Sequence, residues 1–339
     1  MTRGIRGVLL LTGAAAVLLC GCLLSLAFGA LSIPPGDVVA VLTGRQDGTR
    51  FADVLWSVRV PRTLLGLATG AALGVAGALM QALTRNPLAD PGILGVSAGA
   101  SFAIVVSAGL LGVTSLSGYI WPAFLGALLA SVAVYALGGV GAFGQTPVKL
   151  ALAGVAVTAL LGSLTHGIVL TDPDALDRFR FWSAGSLAGV GADELLWITP
   201  FLVFGGFLAL ACAPALNSLA LGDDVAASLG RSPWLVRAQG TAAITLLTGA
   251  SVAVIGPVVF LGLVVPHLAR VLTQRVGIGP DHRWLLPLSG LIAPALLLAA
   301  DVVGRIVVRP VEIQSGVIVA LLGGPFFIVL VRRARLREI

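Results

Sequence analysis

The amino-acid sequence predicts an all-α protein that crosses a membrane about ten times, and three observations lead to that fold class. Hydrophobic residues make up 58% of the 339 residues, charged residues make up 11%, and the mean hydropathy is +1.03. Soluble domains carry about 25% charged residues, so this composition is typical of a polytopic membrane protein. The apolar residues also fall into long charge-free runs separated by short polar segments. Most classes of soluble enzyme are thereby excluded.

Each charge-free run is assigned to a spanning helix, which needs about 20 apolar residues. Residues 91–148 carry no charge and are long enough for two helices with a turn near residues 114–118. The first run follows two arginines, as in a signal peptide, but it is long and lacks a clear cleavage site, so we expect a retained helix. Within a single permease-like domain, 1–339, the predicted spans are 8–31, 63–83, 93–113, 118–140, 149–170, 194–213, 236–256, 258–272, 284–303 and 314–332.

Basic residues at the two ends of the chain predict its orientation. Arg3 and Arg6 precede the first span, and four arginines lie within residues 332–339. Ten spans place both ends on one side, and cytoplasmic segments are enriched in Lys and Arg, so we predict that both termini are cytoplasmic.

An internal repeat is predicted from matched residues at a constant offset of 179 positions. Because the first copy would run inward and the second outward, the repeat has inverted topology, as in many transporters. The matches are Gly70-Ala71 with Gly249-Ala250, Gly77 with Gly256, and Pro87 with Pro266.

Residues that carry catalysis form no recognisable constellation. Lys149 is the single lysine, and its neighbours exclude a P-loop, so ATP chemistry must lie on another subunit. The three cysteines occupy apolar runs without a CxxC motif. His166 and His267 are isolated, and hydrogen-bonded core positions are expected for them rather than metal ligation. We predict that the chain is not an enzyme and binds no metal or cofactor itself.

Two polar segments lie on the predicted cytoplasmic side. Residues 85–91 form either a plain turn or a rigid element at the mouth of a pathway, because two prolines stop one helix and start the next. Residues 214–233 are too short to span, and their spacing predicts two short amphipathic helices that pack on a partner protein or, alternatively, on the membrane surface. The residues of that loop are Leu216, Leu219, Leu221, Gly222, Asp223, Asp224, Val225, Leu229 and Gly230.

Ionisable residues also lie at the predicted outer ends of spans. Asp301 and Arg305 are four residues apart, and a helical ion pair is the simplest interpretation. Arg59 and Arg62 oppose the positive-inside trend, and nearby carboxylates explain them poorly. Glu312 follows the ninth span.

Ordered motifs along nearly the whole chain resemble the FecCD-type (BtuC-like) permeases of bacterial ABC importers for iron-siderophores, haem and vitamin B12. Gln314 departs from the family pattern, which has proline there, and Gly324 stands where alanine is usual. The similar segments are 59–65, 77–91, 94–100, 181–187, 221–230, 256–270, and 300–327 with Asp301, Arg305 and Glu312.

The resemblance implies ten helices per subunit, with an inverted repeat of spans 2–5 and 7–10, in a bacterial plasma (inner) membrane. It implies a second permease subunit, identical or different, and two cytoplasmic ATPase subunits that use ATP and Mg. It further implies an external binding lipoprotein or periplasmic protein. A ferric siderophore is the expected substrate, with haem or cobalamin as alternatives. No nucleic acid is expected, and membrane lipids surround the chain.

The resemblance also assigns roles to residues. The 214–233 loop would dock on the ATPase, with Leu219, Leu221, Val225 and Leu229 in a groove. Arg59, Arg62 and Arg305 would dock the binding protein, the alternative being that they anchor helix ends at lipid phosphates. The cytoplasmic gate would comprise Asn86, Leu88, Thr146, Pro147 and Val148.

Two other functional classes, a secondary transporter and a membrane-embedded enzyme, are the alternatives to an importer permease. A secondary transporter would need buried carboxylates in mid-span for its coupling ion, and Asp301 is the sole candidate and lies at a span end. A membrane-embedded enzyme would need a nucleophile or a metal site, which the sequence does not supply.

Overall fold

The computed structural model describes residues 2–29, 33–45, 48–113, 115–139, 147–309 and 311–335, and in these ranges every regular element is a helix. A π-helical turn, Leu55–Arg59, leads into α4, and a 3-10 turn, Pro91–Leu94, leads into α5. The α-helices are α1 Arg3–Ala27, α2 Pro35–Leu42, α3 Arg50–Val54, α4 Val60–Thr84, α5 Val96–Gly109, α6 Leu116–Gly138, α7 Pro147–Val169, α8 Pro173–Ser183, α9 Ala192–Leu219, α10 Asp223–Ser228, α11 Pro233–Ile255, α12 Leu261–Arg275, α13 His282–Val307 and α14 Ser315–Arg335.

Each of the ten predicted spans overlaps a different α-helix. Within the described residues, seven helices are long and apolar enough to cross a membrane, namely α1, α4 with its preceding turns, α6, α7, α9, α11 and α13. Helix α5 and the apolar part of α14, Ser315–Leu330, are shorter, and α12 has 15 residues. That all ten cross the membrane therefore stays a prediction, while the all-α class is confirmed.

Polar residues set the ends of several helices. Ser115 begins α6 by accepting a hydrogen bond from the Gly118 N–H, and Asp172 begins α8 by accepting two backbone N–H groups. Asp281 similarly accepts the Arg283 N–H at the start of α13. These side chains accept hydrogen bonds from the backbone N–H groups that have no partner within the first turn of a helix.

Helices α4 and α11 form the centre of the bundle. Of the residues in the most apolar stretch of each of these helices, 72% are buried, compared with 6% in α1. Helix α4 contacts α9, α11, α12 and α13. A Cβ atom at Gly77 would overlap the carbonyl oxygen of Gly262, and one at Gly70 would meet the backbone of Pro294. Glycine at these positions lets the backbones approach closely, as expected for packed membrane helices.

Helix contacts agree with the predicted pairing of spans 2–5 with spans 7–10. Helix α4 packs on α12 and α13, and its counterpart α11 packs on α5 and α6. The pairs α5 with α7 and α12 with α14 match in the same way. The residue matches are looser, because Gly70 and Gly249 both lie within helices, whereas Gly77 lies inside α4 and Gly256 follows the end of α11 with φ of +74°.

Candidate functional site

At one end of the bundle, a charged cluster joins α4, α13 and the segment before α14. Arg62 lies 2.7 Å from Asp301 through its Nη2 atom and 2.7 Å from Glu312 through Nη1. Arg305 lies 2.8 Å from the other oxygen of Asp301. The side chain of Asp301 is fully buried, and both arginine side chains are less than a tenth exposed. The cluster is therefore a buried, charge-balanced network.

Two arginines from this region also close the end of α1. Arg305 donates hydrogen bonds from Nη1 to the carbonyl oxygens of Ser25 at 3.1 Å and Phe28 at 3.0 Å. Arg59 donates to the carbonyl oxygens of Leu26 and Ala27. The last carbonyl groups of a helix lack partners within it and carry partial negative charge, so cations stabilise this end.

These contacts correct the expectation for the three arginines. The i, i+4 pair between Asp301 and Arg305 is confirmed, and Asp301 and Glu312 also pair with Arg62, so the premise that nearby carboxylates explain Arg62 poorly is wrong. Arg59, Arg62 and Arg305 are 4%, 7% and 3% exposed, so none of the three presents an exposed charge on the single chain.

A cavity of about 460 Å³ opens beside the charged cluster. Arg62 and Glu312 line one side, and Arg178, Tyr119 and Trp182 line another. Arg178 donates a hydrogen bond to the Tyr119 hydroxyl at 2.6 Å and to the Val113 carbonyl oxygen. Sequence reasoning missed this role of Arg178, because its partners lie 59 and 65 residues away in the chain.

At the opposite end of α4, a second ionic network joins the 85–91 turn to α10. Arg85 donates hydrogen bonds from Nη2 to the Asp223 carboxylate and to the Leu219 carbonyl oxygen, both at 2.6 Å. Arg237 on α11 contacts the same carboxylate at 2.7 Å. The pKa of Asp223 lies below its usual range. Partial burial alone would raise this pKa, but hydrogen bonds and positive charge from Arg237 and Arg85 outweigh the effect of burial.

The structure changes the description of the 214–233 loop. Helix α9 continues through Pro214 to Leu219, so only one short helix, α10, remains in the loop. Leu216 and Leu219 are each 1% exposed within the chain, so the expectation that Leu219 docks in a partner is wrong. Tertiary packing against α11 and α4 overrides the helix-breaking tendency of proline here.

The remaining loop residues form an apolar outer surface. Leu221, Val225 and Leu229 are 67%, 41% and 59% exposed. Gly222 and Gly230 flank α10 with φ of +119° and +74°, values that side-chain-bearing residues rarely adopt. Asp223 and Asp224 occupy the first turn of α10, where negative charge is favourable, and Asp224 is exposed.

The predicted gate residues lie in the turn that follows Arg85 and at the start of α7. The Asn86 side-chain oxygen accepts the Leu88 N–H at 2.9 Å, which rigidifies the turn, and the Leu88 side chain is 40% exposed. Pro147 begins α7 and Val148 is 67% exposed, whereas Thr146 lies outside the described residues. Helix α7 packs closely on the 3-10 turn that follows the 85–91 turn, because a Cβ atom at Gly154 of α7 would overlap the Ile93 carbonyl oxygen.

Within the described part of the chain, no group of three His, Cys, Asp or Glu side chains could hold a metal ion. The two ionic networks, the cavity and the exposed face of α10 are therefore the candidate functional features. All of them can bind or transmit motion, and neither network has the form of a nucleophile with a general base.

Comparison with known proteins gives consistent results. The model of the FecCD transport family matches residues 17–333. The chain is 48% identical over 310 residues to the ferric enterobactin transport system permease protein FepD of Escherichia coli, covering 91% of both chains. It is 42% identical to the Fe(3+)-citrate import system permease protein YfmD of Bacillus subtilis, covering 85% of this chain and 84% of that one.

A solved structure shares the fold. It is described as an inward-facing conformation of a metal-chelate type ABC transporter, and it superposes with a TM-score of 0.82 at 28% sequence identity. The match covers 95% of this chain and 98% of that chain.

Proposed function

The chain belongs to the FecCD transport family, and we propose that it is the membrane-spanning permease subunit of an ATP-driven importer for an iron chelate. A ferric siderophore is the favoured cargo, because the two permeases compared above are named for ferric enterobactin and Fe(3+)-citrate. Haem and cobalamin are the alternatives within the same family.

The observation that carries this proposal is the exposed apolar face of α10 together with its ionic connection to α4. Val225 on α10 and Leu221 and Leu229 beside it offer a hydrophobic surface, and Asp223 of α10 is bound to Arg85. A partner that moves α10 would therefore move the 85–91 turn as well. Two cytoplasmic ATPase subunits, which use ATP and Mg, would supply that movement.

The remaining partners follow from the same proposal. A second permease subunit, identical or different, would complete the translocation path between subunits, with Leu88 and Val148 closing its cytoplasmic mouth. Both termini and α10 would then face the cytoplasm of a bacterial cell. An external binding protein would deliver the chelate at the end of the bundle that holds Asp301.

Docking of the binding protein through Arg62 requires a rearrangement. The Arg62 guanidinium is bound to Asp301 and Glu312, and the Glu312 side chain is 33% exposed. A carboxylate of the binding protein would displace Glu312 from Arg62 rather than meet an unpaired charge. Because one ion pair replaces another, this exchange would fix the orientation of the binding protein on the permease and would add little to the binding affinity.

Reconstitution tests the proposal. The permease is placed in proteoliposomes with its ATPase and binding protein, and uptake of radiolabelled ferric siderophore is measured with ATP inside or absent. We expect uptake that requires ATP and the binding protein. Uptake driven by an ion gradient without ATP would instead identify a secondary transporter. Competition by unlabelled haem or cobalamin separates the alternative cargoes.

A further inference from the structure

A groove between α1, α12 and α13 lies apart from the features that transport requires. Its basic end is a cavity of about 570 Å³ lined by Arg6, Arg275 and the backbone turn at Val276–Gly277. Its apolar end is a second cavity of about 570 Å³, lined by aliphatic residues from Leu9 to Val17 on α1 and by residues of α12 and α13. The two cavities share Leu9, Leu10 and Arg275.

The basic end has the chemistry of an anion site. Arg6 donates one hydrogen bond to the Val276 carbonyl oxygen at 3.2 Å, which holds its guanidinium at the rim and leaves other N–H groups. Arg275, an exposed residue, ends α12 on the same rim. The residues that line the two cavities include no carboxylate.

The apolar end has the dimensions of one membrane leaflet. Arg6 and Val17 are 11 residues apart on α1, which corresponds to about 16 Å along the helix axis at a rise of 1.5 Å per residue. This is about half of the roughly 30 Å hydrocarbon core of a bilayer. Leu9 and Val17 are 56% and 63% exposed, so this side of α1 faces outward from the bundle.

From this geometry we propose that the groove binds an anionic phospholipid. The headgroup phosphate contacts Arg6 and Arg275, and one acyl chain lies along α1 toward Val17 past Gly13. Basic pockets between membrane helices favour anionic headgroups, and each Lys or Arg near such a surface contributes about a fivefold preference. Only 6% of the residues in the most apolar stretch of α1 are buried, so a lipid in the groove would cover a helix that is largely exposed on the single chain.

Charge variants test the headgroup contact. The purified full chain is incubated with mixed phosphatidylglycerol and phosphatidylcholine, and bound lipids are counted by native mass spectrometry. We expect a preference for phosphatidylglycerol that falls about fivefold in Arg6→Gln and again in Arg275→Gln. Arg231→Gln, an exposed arginine elsewhere, should leave the preference unchanged. An unchanged preference in the Arg6 and Arg275 variants would overturn the proposal.

A larger side chain at Gly13 tests whether the apolar end of the groove holds an acyl chain. A Cβ atom at Gly13 meets no heavy atom within 4 Å, so Gly13→Leu fits the fold while its side chain occupies the groove. Gly162 on α7 is equally open and gives the matched control Gly162→Leu. Only Gly13→Leu should reduce bound phosphatidylglycerol. Unchanged binding would mean that lipid collects on a general basic surface, and loss of an oligomer on light scattering would mean that the groove is a subunit contact; either result overturns the proposal.

Discussion

The two ends of α4 are held by arginines in opposite ways. Arg62 at its start is bound to Asp301 and Glu312, and the side chains of Arg62 and Asp301 are 8% and 0% exposed. Arg85 at its end is bound to Asp223, and both side chains are 42% exposed. The same chemical pair therefore occurs once away from water and once at the surface.

Burial decides what each pair can do. Removing one member of a buried pair leaves an uncompensated charge, so the network at the start of α4 resists change. An exposed pair is screened by water and contributes about 0–1 kcal/mol, so it can break and re-form at little cost. Helix α4 is thus fixed at one end and releasable at the other, where α10 lies.

The largest expected effect tests the fixed end. Asp301→Ala leaves Arg62 and Arg305 buried near each other without their shared carboxylate, and we expect a loss of about 3–5 kcal/mol in the free energy of unfolding. Thermal unfolding of the purified chain in detergent measures it. Asp223→Ala is the matched control at the releasable end, with a loss of at most about 1 kcal/mol. Equal losses in the two variants would remove the contrast between the ends.

The second prediction concerns transmission through the releasable end. Arg85 has φ of 50°, so Arg85→Gly deletes the side chain while allowing the same backbone conformation. We expect a several-fold fall in uptake per ATP hydrolysed, with little loss of stability. Uptake and hydrolysis are measured together in proteoliposomes. Arg231→Gly in the 214–233 loop provides the control, and an unchanged ratio in Arg85→Gly would show that α10 acts on other elements.

The third prediction concerns removal of one partner of Arg62 at the fixed end of α4. Glu312→Gln removes one partner of Arg62 while Asp301 remains, so the chain should stay folded. If a binding-protein carboxylate competes for Arg62, its affinity should rise by a few-fold. Surface plasmon resonance with the permease in nanodiscs measures this change, and Asp174→Asn on α8 is an exposed acidic control. A weaker or unchanged affinity in Glu312→Gln would argue against the exchange.

The smallest expected effect is that of pH and salt on the Arg85–Asp223 pair. The pKa of Asp223 is lowered in the folded chain, so its stabilising contribution is complete above the ordinary value of about 3.9 and is lost as the pH falls through the lowered pKa. Between pH 5 and 8 no change is expected. Raising salt from 0.15 to 1 M should shrink the stability difference between wild type and Asp223→Ala, which unfolding curves at both salts would detect.

Sequence reasoning succeeded where the signal is local. The helices follow from apolar runs, and the Asp301–Arg305 pair follows from a spacing of four residues. It failed for Arg62 and Arg85, whose partners lie 239 and 138 residues away. In a chain that is 58% hydrophobic, nearly every helix face is apolar, so the pattern does not reveal which face is buried.

Leu219 illustrates the same limit. Its apolar character suits a partner surface and a protein core equally well, and the predicted sixth span ended at residue 213. Packing against neighbouring helices continues α9 to Leu219, and that information lies outside the segment itself. By contrast, Val225 was correctly predicted to lie on a short helix, because glycines on both sides limit α10, whereas Leu221 and Leu229 flank that helix.

The closure of α1 by Arg305 has a consequence for biosynthesis. The bonded atoms belong to residues 280 positions apart, so the ribosome completes the first helix long before it makes the second of the two arginines that close it. At about 5–20 residues per second, this interval is about 15–60 seconds. During that time the carbonyl groups of Ser25 and Phe28 must find water or lipid headgroups. A nascent chain released before Arg305 therefore exposes an unfinished helix end to the quality-control proteases of the membrane.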